Sequence, residues 1–123
     1  MSDNPNASSN RDTLLENFAA ELTSAVYPLV LRRGLKDSWI KVELGLWRAL
    51  AEVLKNWDWQ RPSAASAAEL EAWREGLLVD LTESAFYIAL KNGIQGPLLE
   101  VELSLYRAFR LLVRRWGRLR EFV

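Results

Sequence analysis

The 123-residue chain contains no cysteine and no histidine. Without cysteine there is no disulfide framework, no thiolate nucleophile and no cysteine-ligated metal. Without histidine the chain lacks the commonest general base, the side chain that usually titrates near neutral pH. Only carboxylates, lysine, tyrosine and hydroxyl groups remain for catalysis. We therefore expect a protein that is not an enzyme and that requires neither a cofactor nor a metal ion.

Net charge and long hydrophobic runs are also missing. Lysine plus arginine equals aspartate plus glutamate at 16 each, which argues against a general electrostatic binder of nucleic acid. No apolar stretch approaches the roughly 18 uncharged residues of a membrane span. The N-terminus has neither the basic start nor the apolar run of a signal peptide. Together these features predict a cytoplasmic, single-domain globular protein without a transmembrane segment.

Apolar residues recur at helical spacing in four segments, which predicts an all-α chain. The predicted helices cover about 12–33, 38–57, 66–93 and 97 onward. Residues 1–10 are polar and aperiodic, and we expect them to form a disordered tail. Pro28 lies inside the first segment and lacks an amide hydrogen, so we expect a kink or a break there.

Capping residues support the helix boundaries. Ser66 followed by Glu69 is a capping box that predicts the start of the third helix. Gly34 and Gly93 suit the left-handed conformation that commonly ends a helix. Pro97 suits a first helical position and opens the fourth helix.

The sequence repeats itself at an offset of 59 positions, which aligns residues 11–57 with 70–116 without a gap. The identical pairs include Gly34 with Gly93, Thr23 with Thr82, Glu43 with Glu102 and Arg48 with Arg107. Helical patterning explains shared apolar positions but not these residue types in one register. We predict a four-helix bundle made of two tandemly duplicated antiparallel hairpins with pseudo-twofold symmetry. The predicted units within the single domain 11–123 are a repeat at 11–57, a loop at 58–65, a repeat at 66–116 and an extension at 117–123.

Glu43 and Glu102 are the repeated residues with the greatest chemical interest. On a helix that advances about 100° per residue, Glu43 shares the apolar face of Leu50, and Glu102 shares that of Phe109. A buried carboxylate costs several kcal/mol unless it is paired or protonated. We therefore predict an interior polar site.

Three interpretations of these glutamates remain open. In the first, each glutamate is a hydrogen-bond acceptor in the core, satisfied by Tyr27, Tyr87, a threonine or an arginine. In the second, the two glutamates orient a small apolar ligand inside the bundle. In the third, each glutamate pairs with a partner subunit across an interface. Helices 2 and 4 favour a partner, because their surfaces are apolar around most of the circumference and one bundle need not bury all of it. The alternative is that the other helices and the loop cover them.

Two sets of surface residues are further candidates. A basic stripe on helix 4 fits either a phosphate-bearing or anionic surface or a solvated face that complements the helix dipole. The stripe consists of Arg107, Arg110, Arg114 and Arg118. Trp39 and Trp59 lie at loop ends, where an exposed aromatic can anchor a partner and a buried one packs the loop.

We therefore predict a non-enzymatic helical interaction or regulatory module that acts through apolar helix faces, as a homodimer. A bundle that binds a small apolar ligand is the first alternative. Binding of nucleic acid or an anionic surface through the helix 4 arginines is the second, and the absence of any nucleic-acid-binding signature disfavours nucleic acid.

Overall fold

The structure is a computed structural model that describes residues 5–32, 39–59 and 66–115, with side chains placed for 11–32, 40–59 and 66–115. Within these ranges the chain forms four α-helices and no strand. They are α1 (Pro5–Leu31), α2 (Trp39–Asn56), α3 (Ala67–Lys91) and α4 (Leu98–Arg115). The prediction of an all-α, four-helix chain is confirmed.

Each helix packs against the next along the chain, and α4 packs back against α1. This closes a ring in which α1 and α3 lie on one diagonal and α2 and α4 on the other. Helices α1 and α2 run antiparallel, because Glu16 in the first half of α1 pairs with Lys55 at the end of α2. None of the four described helices has the length and apolar character needed to cross a membrane.

The core is built from apolar side chains spaced mainly four residues apart. On α2 the fully buried set is Val42, Leu46, Leu50 and Leu54, and on α4 the buried set is Val101, Leu105, Phe109 and Val113. Leu15, Phe18, Leu22, Val26 and Val30 of α1 and Leu77, Leu81, Ala85 and Ala89 of α3 complete the packing. Burying one leucine of this kind contributes roughly 2 kcal/mol. Four residues exceed one turn by about 40°, so each buried stripe is inclined to its helix axis.

The predicted boundaries of α3 are confirmed in atomic detail. The Glu69 amide donates to Ser66 Oγ at 3.2 Å, as the capping box requires. Gly93 has φ 79°, and the Ile94 amide donates back to the Ala89 carbonyl at 3.3 Å, which is the Schellman geometry of a glycine-terminated helix. The predicted end of helix 1 at Gly34 lies outside the described residues.

One prediction about α1 was wrong, and of the kink or break expected at Pro28 only the break is excluded. The predicted tail ended at residue 10, whereas the helix begins at Pro5. Apolar periodicity could not locate this start, because residues 5–10 contain no leucine, isoleucine, valine, methionine or aromatic residue. Pro28 does not break the helix, which continues to Leu31. The Arg32 amide still donates to the Pro28 carbonyl at 3.2 Å, so helical hydrogen bonding resumes after the one bond that proline removes.

Candidate functional site

An apolar groove lies on the surface between α3 and α4. It has a volume of about 340 Å³ and is lined by Val79, Thr82, Glu83, Leu99, Glu102, Leu103 and Tyr106. Leu99 is 77% exposed and Leu103 44% exposed, so these two residues, one turn apart, both present apolar surface to water. We call this feature the α3/α4 groove. Its apolar walls carry two carboxylates, the exposed Glu83 and the half-buried Glu102.

Hydrogen bonds fix the walls of the α3/α4 groove. The buried Thr82 hydroxyl donates to the Leu78 carbonyl at 2.7 Å, which satisfies the hydroxyl within α3. The Tyr106 hydroxyl donates to Glu75 Oε1 and ties α4 to α3. That hydrogen bond, with burial and the Glu75 charge added, raises the pKa of Tyr106, and Arg110 nearby offsets part of the effect. The groove is therefore pre-formed rather than dependent on a bound partner.

The first hairpin carries a comparable tie between α1 and α2. Trp47 Nε1 donates to the Glu16 carbonyl at 3.1 Å, and these two residues align with Tyr106 and Glu75 of the second hairpin. The cleft beside this tie is polar, since it contains the ion pair between Lys55 Nζ and Glu16 Oε2 at 2.8 Å. This cleft is not the counterpart of the α3/α4 groove, since only Trp47 of its lining aligns with a groove residue. The equivalents of Leu99 and Leu103 are Ile40 and Leu44, which are 59% and 44% exposed.

The predicted interior polar site is not formed. Glu43 is exposed and Glu102 is half-buried at the wall of the α3/α4 groove, whereas the sequence placed both in the core. The inclination of the buried stripe explains the error. At the start of α2 the core-facing side of the helix is the side of Val42, and only three turns later is it the side of Leu54. Glu43 lies about 100° from Val42, outside the arc at its own level.

The two tyrosines proposed as donors to the glutamates are also placed differently from the prediction. Tyr87 is 63% exposed. The Tyr27 hydroxyl is buried and has no hydrogen-bond partner in the described part of the chain. Burial raises the pKa of Tyr27, and the charge of Glu43 raises it further. Tyr27 and Glu43 are therefore neighbours, but no hydrogen bond joins them.

Trp59 is a core residue and not an exposed partner anchor. Only 1% of it is exposed, and its Nε1 donates to the Leu54 carbonyl at 2.8 Å. It meets Trp73 edge-on, with ring centroids 5.6 Å apart, and Trp57 packs on the other side of Trp73 at 5.8 Å. This cluster joins the end of α2 to α3. The side chain of the second predicted anchor, Trp39, lies outside the described residues.

The predicted basic stripe lies on the outward surface of α4. Arg107, Arg110 and Arg114 are exposed within an arc of about 60°, and Arg118 lies outside the described residues. The same surface carries Leu99 and Leu103 one to three turns earlier. Sequence reasoning missed this continuity because it assigned the apolar and the basic residues of the helix to separate roles; the helical spacing of 99, 103, 107, 110 and 114 was the available signal.

Chemical groups for catalysis or metal binding are sparse around these surfaces. No cluster of three acidic side chains suited to a metal ion occurs in the part of the chain that the structure describes. The groove residues that carry polar atoms are two carboxylates, a threonine and a tyrosine, which suit hydrogen bonding to a partner. Comparison of the chain with protein-family models, with curated proteins and with solved structures finds no match in any of the three.

Proposed function

We propose that the chain is a non-enzymatic helical interaction module that acts as a homo-oligomer and docks through the α3/α4 groove. The observation that carries this proposal is the exposure of Leu99 and Leu103 beside Val79 on one pre-formed surface. Exposed apolar area contributes about 25 cal/mol per Å² when a partner removes it from water. Contiguous apolar surface rimmed by polar groups is typical of protein–protein interfaces.

Two features support a binding role over a catalytic one. The chain has no histidine or cysteine to act as a base or a nucleophile. The carboxylates of the α3/α4 groove, Glu83 and Glu102, stand beside leucines, and the remaining ionisable group in its lining, Tyr106, donates its hydrogen to Glu75. A carboxylate at the edge of an apolar groove selects a partner through charge. The cytoplasmic location stays a prediction from the sequence.

The duplication of the hairpin is part of the same proposal. Buried residues recur 59 positions apart along both hairpins, as in Leu46 with Leu105 and Leu50 with Phe109. The ties from Trp47 to Glu16 and from Tyr106 to Glu75 each span 31 residues. These correspondences support two copies of one hairpin. A chain with that internal symmetry presents two related faces, because the exposed Leu99 and Leu103 of the second copy correspond to the exposed Ile40 and Leu44 of the first. The α3/α4 groove lies on the face of the second copy.

The two alternative functions have less support. The first alternative had Glu43 and Glu102 orient a small apolar ligand inside the bundle, but Glu43 is exposed and Glu102 is only half-buried. An anionic partner for the α4 arginines would have to approach a helix that also carries Glu100 and Glu102. The second alternative predicts that the chain binds anionic vesicles through these arginines.

The test is self-association measured by sedimentation velocity over roughly 1–100 μM, a range that brackets dimers of micromolar Kd. We expect the double variant Leu99→Ser/Leu103→Ser to raise the dimer Kd at least about tenfold, because a dimer loses four buried leucines. Leu44→Ser is the matched control. Leu44 aligns with Leu103 and is equally exposed at 44%, but it belongs to α2, which lies diagonally opposite α4 in the bundle. Unchanged association of the double variant, or equal loss in the control, would refute the proposed surface.

A further inference from the structure

The outer face of α4 is electrically bipolar. We define this face by the exposed residues Leu99, Glu100, Leu103, Arg107, Arg110, Leu111 and Arg114. Its N-terminal half is acidic, since Glu100 is joined there by Glu102 and by Glu83 of α3. Its C-terminal half carries three arginines. None of these arginines forms an ion pair with another described residue, so their charge is available to a partner.

The same face has a self-complementary order of residues. Glu100 and Arg110 lie at equal distances on either side of position 105, and so do Leu103 and Arg107. The two exposed residues Leu99 and Leu111, the latter 64% exposed, are also equidistant from that position. At about 1.5 Å per residue, Glu100 and Arg110 are roughly 15 Å apart along the axis. Such an arrangement fits a twofold interface, in which residue i meets residue j and j meets i.

We propose that the partner of this face is a second copy of the chain, with the two α4 helices antiparallel and crossing near position 105. This inference rests on the proposed function and specifies its partner and orientation. Glu100 of each copy then lies at the same level along the helix axis as Arg110 of the other, and Leu99 of each copy lies at the level of the other copy's Leu111. The aliphatic part of Arg107 covers Leu103, as arginine stems commonly cover apolar surface.

Charge complementarity favours this occupant over a polyanion. A nucleic acid or an anionic membrane that follows α4 meets the three arginines but also the repulsive carboxylates of Glu100 and Glu102. A parallel copy would place acid against acid and base against base, which costs several kcal/mol for closely juxtaposed like charges. The antiparallel copy pairs both ends of the face at once.

Charge reversal tests the orientation. We expect Glu100→Arg and Arg110→Glu each to raise the dimer Kd at least about tenfold, because each places two pairs of like charges across the interface. The double variant Glu100→Arg/Arg110→Glu restores opposite charges at both places and should return the Kd to within about threefold of the wild-type value. Arg48→Glu, at the α2 position aligned with Arg107, is the matched control and should leave the Kd unchanged.

The possible results separate this inference from the proposed function. If the leucine double variant dissociates the dimer but the reversals have no effect, or the double reversal fails to rescue, the groove stands and the antiparallel α4 pairing is overturned. If neither set of variants affects a wild-type dimer, both are overturned. A wild-type monomer at about 100 μM that binds phosphatidylserine vesicles, and loses that binding in Arg110→Glu, would also overturn both and assign the arginines to an anionic surface.

Discussion

Two tyrosines in this molecule show how strongly a hydroxyl depends on its surroundings. Tyr106 donates its hydrogen to Glu75 across the α3–α4 contact, whereas the Tyr27 hydroxyl is buried without a partner in the described residues. A buried unsatisfied hydroxyl costs about 1–3 kcal/mol, while a satisfied one contributes about 1 kcal/mol. The repeat has phenylalanine at the position equivalent to Tyr27, which is Phe86, so the ring alone suffices there.

We therefore expect opposite results from the same substitution at these two sites. Tyr106→Phe should lower the free energy of unfolding in urea by about 1 kcal/mol, because Glu75 loses its donor. Tyr27→Phe should leave it unchanged or raise it by about 1 kcal/mol, since no hydrogen bond is lost. Equal losses at both sites would contradict the structural difference between them.

The pH dependence of these variants supplies the control. Because its pKa is raised in the folded state above the ordinary value of 10.0, Tyr106 stabilises the fold fully below pH 10, and this stability is lost as pH rises through the folded pKa. The difference in unfolding free energy between wild type and Tyr106→Phe should therefore shrink above pH 10. A difference that stays constant to higher pH would show that the hydroxyl acts only through packing.

For single residues, the sequence repeat predicted equivalent environments better than helical periodicity predicted exposure. Thr23 and Thr82 are both buried, and both donate to a carbonyl four residues earlier at 2.7 Å, as an ungapped repeat predicts. Glu43 was misplaced because averaging over a whole helix hides the roughly 40° drift of a four-residue spacing. How far a polar residue near a helix end is buried depends on which side of the helix faces the core at that level. A single helical projection does not show this, because it superimposes all levels of the helix.

Among the structural elements, the connection from α2 to α3 departs furthest from its predicted role. Trp57, Trp59 and Trp73 pack as a cluster, and Trp73 Nε1 donates to the Asp58 carbonyl at 2.8 Å. Gly76 belongs to the same cluster, because a Cβ there would lie 3.2 Å from the Trp57 ring. The cluster joins the end of α2 to α3, and only 1% of Trp59 is exposed.

Substitution of Trp59 distinguishes a role in packing the core from a role as an anchor for a partner. We expect Trp59→Ala to lower the free energy of unfolding by about 3–5 kcal/mol, the usual cost of removing a buried large aromatic from a core. Chemical denaturation followed by circular dichroism measures this without relying on tryptophan fluorescence. Ile40→Ala removes an exposed apolar side chain and should change stability by less than about 0.5 kcal/mol. A loss of self-association without loss of stability in Trp59→Ala would restore the anchor role.

Helix termini were predictable wherever a local interaction defines them. Ser66 with Glu69 and Gly93 act within a few residues of themselves, so the sequence located both ends of α3. The connection after α2 was not predictable in this way. Its conformation depends on packing between Trp59 and Trp73, which lie on different elements and carry no local signature beyond an unusual density of tryptophan.

On the scale of the whole molecule, the ring of four helices separates two functions of apolar side chains. The stripe through Leu105 and Phe109 faces the centre and stabilises the fold, while Leu99, Leu103 and Leu111 of the same helix face outward. Sequence analysis recognised the excess of apolar residues on this helix and predicted a partner from it. It could not divide the residues between core and interface, because that division depends on where α1 and α3 cover α4.

If the outward leucines serve a dimer, thermal stability depends on protein concentration. A partner that binds only the folded state adds RT ln(1 + [L]/Kd) to its stability. Raising the concentration from about Kd to about 100 Kd therefore adds roughly 2 kcal/mol, which corresponds to about 6–10 °C in Tm for a domain of this size. Differential scanning calorimetry over that range should show this rise in Tm for the wild type.

The variant Leu99→Ser/Leu103→Ser should show a clearly smaller rise in Tm with concentration over the same range, because its Kd is higher, whereas Leu44→Ser should follow the wild type. The exposed leucines contribute little to the isolated bundle, because they already contact water in it. At low concentration the wild type and the double variant should consequently have nearly equal Tm values. A large difference there would mean that these side chains stabilise the monomer itself, and the groove would then belong to the core of a single chain rather than to an interface between two.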